Sequence, residues 1–354
     1  MTYPIPVIDL EAATSPTAPP ALLDTIRNAT EDVGIIQVVN HGVPQPLIDE
    51  FNQRIARLLG LPRPQKAELA SPTGHPYRGW RQWPDDFGRL ELERFNVGQF
   101  DNAAAARAAG LPEEYLGLYD HDNVWPADDP RLRDVTYDYI NATTALAGRV
   151  LGLYARVQGQ PEDTFGLGSL PYVTFTVNDY PTWTYDGSAS EGGAGDDGAS
   201  DEDKLLLLEH ADGSAVTILG QTGDYEGLQI QLPDGDWQPV PIVPGALPVF
   251  SGSLLTNWTN GRLRPARHRV VAGGTVTRRS VATFVYPALD TVVEPLPPFV
   301  EPGEESDYEP VSIWDSVKDR VENYLKVFGR PDQVSAWREG TTYVADLADN
   351  SAGR

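Results

Sequence analysis

The chain of 354 residues contains no cysteine and only five histidines. Without thiols, disulfides, zinc ribbons, iron–sulfur clusters and thiol nucleophiles are excluded, so any metal must be held by His, Asp, Glu and water. Long apolar runs are also missing. None exceeds four residues, as in Leu205 to Leu208, so no segment can cross a bilayer as a helix and a soluble protein is expected. The first residues, Met1 to Leu10, lack a basic start followed by an apolar stretch. No secretory signal is visible there, and a cytoplasmic location is the default expectation. Positive charge is scarce: 27 Lys and Arg stand against 51 Asp and Glu, a net charge of -24. That balance opposes a phosphate backbone and argues against nucleic acid as a partner.

What the chain does have in quantity is turn chemistry, with 33 glycines and 31 prolines, about 18% of its residues. The first part is nevertheless helical. After an extended stretch at Pro6 to Leu10, residues Leu22, Leu23 and Ile26 lead into a helix, and Ile35 to Val39 alternate. Ile48, Phe51, Ile55, Leu58 and Leu59 mark a second helix. Leu132, Val135, Tyr139, Ala142, Leu146, Val150 and Leu153 stripe a longer one over about 131–158. From Tyr172 the texture changes to eight short apolar or alternating runs, 172–178, 204–209, 215–220, 227–232, 236–242, 246–250, 266–272 and 278–286. Such punctuation predicts a sandwich, barrel or jelly roll, buttressed by the helices. The stretch 186–203, rich in Gly and acids, reads as a mobile loop, and Val311 to Phe328 as a closing helix.

A metal site without thiolates needs imidazole, so the five histidines are the natural test. In Leu208-Glu209-His210-Ala211-Asp212, His210 and Asp212 lie two apart on an extended chain and point to one side. Alone this pair is weak, since random placement gives about 0.7 such matches. His268, on a later strand that a jelly roll could bring alongside, would supply a third ligand. Two His and one carboxylate leave three positions of an octahedral Fe(II) open for a bidentate co-substrate and O2. The alternative is two satisfied histidines and a turn aspartate. Alternation places Arg278 and Ser280 on one face of the last run, with Arg279 on the other, and Asn178 and Tyr180 share a side of an earlier strand. Together they could clamp a small dicarboxylate. His41 is expected to make a structural hydrogen bond, and His75 and His121 to be exposed in loops. The aromatic and basic segment Tyr77 to Trp83 either lines a substrate entrance or packs on the core.

With these residues in view, the chain closely resembles the isopenicillin N synthase-like branch of the Fe(II)/2-oxoglutarate-dependent oxygenases. The amino-terminal half matches at Pro6 to Leu10, Gly34 to Val43, Glu93 to Gly98 and Asn123 to Pro126. The later half matches at Asn178 to Pro181, His210-Ala211-Asp212, Gly227 to Gln229, Asp234 to Trp237, Pro244 to Leu247, His268 to Val270 and Arg278 to Ser280. It departs at Ser253, where many relatives have Asp, and at Thr176, where a basic residue is common. The resemblance implies a mainly β fold with flanking helices around a double-stranded β-helix, or jelly roll. Residues 1–165 would form a dioxygenase-type amino-terminal region, 166–300 the oxygenase domain with the insertion 186–203, and 301–354 a helical extension. It implies iron on His210, Asp212 and His268, and 2-oxoglutarate on Arg278 and Ser280 with Asn178 and Tyr180 assisting. The activity implied is O2-dependent oxidation of a small organic substrate, hydroxylation above all, with desaturation or ring closure as the other outcomes, in bacterial specialised metabolism. Two other readings stay open: an oxidase of the same family that uses no 2-oxoglutarate, and a jelly-roll binding protein that does not turn over.

Overall fold

All eight runs read from the second half of the sequence form strands, and the computed structural model shows what each packs against. It describes residues 5–328 apart from 73–74, 76, 85–90, 181–204, 224, 272–276 and 304. The acidic stretch 186–203 therefore lies outside the described residues. In chain order the elements are β1 (Val7–Asp9), α1 (Leu10–Thr14), α2 (Pro20–Asp32), β2 (Ile35–Val39), α3 (Gln45–Leu59), α4 (Arg63–Ala67), β3 (Gly79–Pro84), β4 (Glu91–Gly98), α5 (Ala103–Ala108) and α6 (Arg131–Val157). There follow β5 (Pro171–Tyr180), β6 (Leu205–His210), β7 (Val216–Thr222), β8 (Leu228–Gln231), β9 (Trp237–Pro239), β10 (Leu247–Ser251), α7 (Ser253–Trp258), β11 (His268–Val271), β12 (Arg278–Ala288), β13 (Val292–Val293), β14 (Val311–Ser312) and α8 (Ile313–Phe328).

Two sheets carry the fold. The larger has the order β1-β2-β10-β7-β12-β5-β4-β3 and the smaller β6-β11-β8-β9. Strands from the amino-terminal part thus extend both edges of a centre built from later residues. Side-chain alternation along β5 and β12 separates two cores. Val173, Phe175, Val177, Val281 and Val285 face outward onto the helices, where Phe51, Tyr139 and Val150 are buried with them. The stripe predicted for the long helix is the face that packs there, and Thr143 of α6 meets Thr283 of β12 at 3.1 Å between hydroxyls. Facing the other way, Tyr180, Leu219, Phe250 and Ala282 of the large sheet meet Leu206, Leu228, Ile230 and Val270 of the small one. The site residues sit at this inner layer.

Helix starts follow local chemistry. Asp9 caps α1 by accepting from the Ala12 amide and also takes a hydrogen bond from the Asn40 side chain at 2.7 Å. Helices α2, α3 and α4 begin at prolines, whose missing N–H costs nothing in a first turn.

The sequence reading did not anticipate β3 and β4, because charged residues interrupt their apolar pattern. Glu93 of β4 lies on the helix-facing side with Phe95, and its carboxylate is met by Lys66 Nζ at 2.6 Å and by Trp80 Nε1 at 3.1 Å. Lys66 is only 7% exposed and also donates to the Leu59 carbonyl. Removing one member of such a pair leaves the other charge poorly solvated. Lys66→Met is therefore expected to lower unfolding free energy by about 3 kcal/mol, the low end for a buried pair because Glu93 keeps some exposure. Denaturant titration measures this, and a loss below about 1 kcal/mol would show that the pair behaves as a surface one.

Candidate metal centre

β6 and β11 are antiparallel neighbours, and their register sets His268 directly opposite His210. The ring centroids are 4.3 Å apart. Each imidazole is oriented through its Nδ1, His210 against the Leu208 carbonyl at 2.8 Å and His268 against the Ala266 carbonyl at 2.9 Å. A carbonyl only accepts, so each Nδ1 is the donor and Nε2 is the nitrogen left to face a metal. Phe250 of β10 stacks on His268 with centroids 4.7 Å apart and planes within 8°. Asp212 follows β6, and its Oδ1 lies 3.6 Å from His210 Nε2. One ligand atom from each of His210, Asp212 and His268 falls within 4.8 Å of the others.

The carboxylate is the telling group. Asp212 is 6% exposed, and its Oδ2 is buried with no hydrogen-bond partner. A buried anionic oxygen in that state is costly without a cation. The two imidazoles turn toward the same point, and a divalent metal there satisfies all three groups at once. The donor set, two N and one O with no sulfur, suits Fe(II).

The turn that holds Asp212 is built from backbone. Ser253 N donates to the Asp212 carbonyl at 2.8 Å, Gly252 N to Ala215 O at 2.9 Å and Leu254 N to Ser214 O at 3.3 Å. A Cβ on Gly252 would stand 1.9 Å from the Ser214 carbonyl oxygen, so the two segments approach this closely only with glycine there. The bracing contact from position 253 is an amide, which serine supplies as well as aspartate does.

Across the inner layer, Arg278 pairs in register with Tyr180 and Ser280 with Asn178. The four residues expected to act together are thus cross-strand neighbours. Arg278 is 2% exposed and lies with its guanidinium 5.0 Å over the Tyr180 ring, so Tyr180 meets it with its face. Arg278 Nη2 donates to Gln221 Oε1 at 2.8 Å, while Nε and Nη1 are buried without partners. Asn178 Nδ2 donates to Ser280 Oγ at 3.4 Å, and Asn178 Oδ1 and the Tyr225 hydroxyl are also buried and unmatched. Burial pushes the Tyr225 hydroxyl pKa up, against the opposing pull of the nearby Arg278 cation. Neutral donors and an uncompensated guanidinium around one space fit a carboxylate. Arg279 faces away and pairs with Asp179 at 2.8 Å, as alternation predicted.

Sequence reasoning did not find Gln221, Tyr225 or Phe250. Gln221 had a signal, because it lies two beyond Leu219 on the same face of β7 and opposite Ser280. Nothing local marked the other two. His41 is structural as expected, accepting from the Val43 amide at 3.1 Å, with burial lowering its pKa. His75 is a correction: it is 4% exposed, folded onto the His121 ring with centroids 4.6 Å apart. Burial, then the neighbouring Arg78 cation, hold its pKa down to about 3. His121 is itself half-buried there. The segment from Tyr77 divides, with Trp80 in the helix-side core and Tyr77 lining a cleft along β5.

Residues 5–127 match the model for the amino-terminal region of non-haem dioxygenases in morphine synthesis, and residues 178–287 that of the 2OG-Fe(II) oxygenase superfamily. A rice protein named 2-oxoglutarate-dependent dioxygenase 19 (Oryza sativa subsp. japonica) is 28% identical over 91% of this chain and 87% of its own length. The validamycin A dioxygenase of Streptomyces hygroscopicus subsp. limoneus is 29% identical over 81% of this chain and 77% of its own. Among solved structures, JOX2 in complex with 2OG, Fe and JA superposes with a TM-score of 0.69 at 24% identity, covering 89% of this chain and 84% of that one. A Caulobacter crescentus protein assigned to the 2OG-Fe(II) oxygenase family gives 0.71 at 20% identity over 91% and 99%. These structures share the jelly-roll fold.

The brace at Gly252 generates a test. Gly252→Ala is expected to weaken Co(II) binding, measured by calorimetric titration of the full chain, by about tenfold or more, as loss of a support around metal ligands does. Gly148→Ala, where an added Cβ meets nothing within 4 Å, serves as the control and is expected to bind as wild type. Unchanged affinity in Gly252→Ala would contradict the bracing role.

Proposed function

The chain belongs to the 2OG-Fe(II) oxygenase superfamily and is a dioxygenase dependent on Fe(II) and 2-oxoglutarate; from that premise we propose that His210, Asp212 and His268 hold the iron and that the enzyme hydroxylates a small organic molecule. The observation that carries the ligand assignment is the buried, unmatched Asp212 Oδ2 beside two inward-turned imidazoles. Iron held by these three residues would supply the redox chemistry by which O2 and 2-oxoglutarate, going to succinate and CO2, oxidise the substrate by two electrons.

The chain's own part is positioning. Arg278 and Ser280 bind the distal carboxylate of 2-oxoglutarate, and the Gln221 amide fixes the guanidinium so that its remaining N–H groups stay aimed at the anion. Asn178 orients the Ser280 hydroxyl, and the Tyr180 face supports the cation from below. Phe250 holds the His268 plane and, with Leu219 and Ala282, keeps water from the space between the sheets. All seven assigned residues fall within 166–300, the part taken as the oxygenase domain, while residues 1–165 support the sheet edges and 301–354 add α8.

A role in bacterial specialised metabolism is supported by the likeness to the Streptomyces relative and by the acidic, Ala-, Gly- and Pro-rich composition. A cytoplasmic location and independence of nucleic acid and membranes belong to the same reading. The net charge of -24 supports it, as does the fact that no described helix is long and apolar enough to cross a membrane.

His268→Ala is expected to abolish succinate formation from 2-oxoglutarate, and normal turnover in that variant would refute the ligand assignment. Arg278→Ala is expected to raise the half-saturating 2-oxoglutarate concentration about tenfold to a hundredfold, the worth of a lost charge-assisted hydrogen bond. An unchanged co-substrate requirement would instead assign Arg278 to the substrate, as in an oxidase that uses none.

A further inference from the structure

α8 brings one more cation to this site. We propose that Arg320 docks a carboxylate of the substrate, so that the enzyme acts on an organic acid with an apolar body; this rests on the oxygenase reading and adds its substrate class.

Arg320 is partly buried against the turn that carries Asp212. A Cβ built on Gly213, the next residue, would lie 2.6 Å from Arg320 Nη2, so the cation comes this close because position 213 has no side chain. On its other side, Nη1 donates to the Tyr286 hydroxyl, and the guanidinium lies 5.1 Å over the Tyr286 ring. Tyr286 is the register partner of Tyr172, their rings 5.6 Å apart. Tyr172 heads the row Tyr172, Thr174, Thr176, Asn178, which alternation turns to the inner side of β5. The cleft lined by Tyr77, Tyr172, Thr174 and Thr176 follows that row. Through the Tyr286–Tyr172 ring pair, Arg320 therefore stands at the Tyr172 end of a row that leads along β5 to Asn178.

Unused donors set Arg320 apart from Arg78 and Lys66. Arg78 gives its guanidinium to the carbonyls of Tyr77, Leu118 and His121, and Lys66 is paired with Glu93. Arg320 has no carboxylate partner among the described residues, in a protein with 51 acids, and its Nε and Nη2 donate to none of those residues. Tyrosine faces attract a cation without neutralising it. A ligand carboxylate would supply the missing charge and accept from the idle N–H groups, while the half-buried ring of Tyr77, which lines the cleft, gives an apolar body a surface to lie on.

The bland role for Arg320 is a pin that fastens α8 to Tyr286, and the test must separate it from recognition. The full chain is loaded anaerobically with Fe(II) and saturating 2-oxoglutarate, which fills the Arg278 pocket. Hydrocinnamate, octanoate and the corresponding primary amides are then titrated in by calorimetry. Wild type is expected to bind an acid about tenfold or more tighter than its amide. Arg320→Gln should bring acid and amide to equal affinity, Arg320→Lys should restore part of the preference, and Tyr286→Phe should weaken acid binding less than Arg320→Gln does. Equal affinities in wild type, binding of neither acid, or a preference that survives Arg320→Gln would overturn the proposal, the last even if that variant melts earlier. No turnover enters the readout, so an absence of 2-oxoglutarate binding or of succinate formation would count against the underlying oxygenase reading, while the acid preference is still measurable on the metal-loaded chain.

Discussion

The carboxylate of Asp212 imposes the constraint that organises the inner layer. It is buried beside two imidazoles that are each fixed through Nδ1, and one of its oxygens has nothing to accept from. Such an arrangement is unfavourable as a piece of core and favourable as a cation site. The surrounding structure tolerates it because each member is fixed independently: the imidazoles by backbone carbonyls, His268 also by Phe250, and the aspartate turn by three amides from 252–254. The ligand geometry is therefore set by the protein's own contacts, spread over β6, β10, β11 and the start of α7.

The same logic divides the long β5–β12 pair. Its outward side chains, with Val177, Val281 and Val285, build the helix-packed core, and Arg279 on that side is spent on Asp179. The inward side chains keep their polarity uncommitted: Arg278 and Asn178 retain groups with no protein partner. Neighbouring arginines on one strand thus have opposite fates because a period of two separates structure from recognition. The larger sheet keeps this chemistry on a buried central pair, because amino-terminal strands form both of its edges.

Much of this was legible in the sequence, and the reasons are specific. The eight later strands could be read because Gly, Pro and Asp punctuate them and because a strand buried on one side must alternate. His210, Asp212 and His268 could be singled out because thiols are absent and imidazoles few. β3 and β4 were hidden because Glu93 satisfies its charge through Lys66, a residue 27 positions earlier that only the fold brings near. His75 was misjudged because its Pro- and Gly-rich surroundings look like a surface loop, whereas the imidazole itself is buried beside Arg78 and His121. The closing helix could be placed, but nothing local tells that Arg320 turns inward while Asp319 stays exposed. Tyr225 and Phe250 likewise acquire their meaning from strands distant in sequence.

Anomalous diffraction at the iron edge, on crystals of the full chain grown anaerobically with Fe(II) and 2-oxoglutarate, tests the central claim most directly. The account predicts a single iron peak per chain within coordination distance of His210 Nε2, His268 Nε2 and an oxygen of Asp212. Iron bound elsewhere, or a peak that lacks any one of these three contacts, would contradict it.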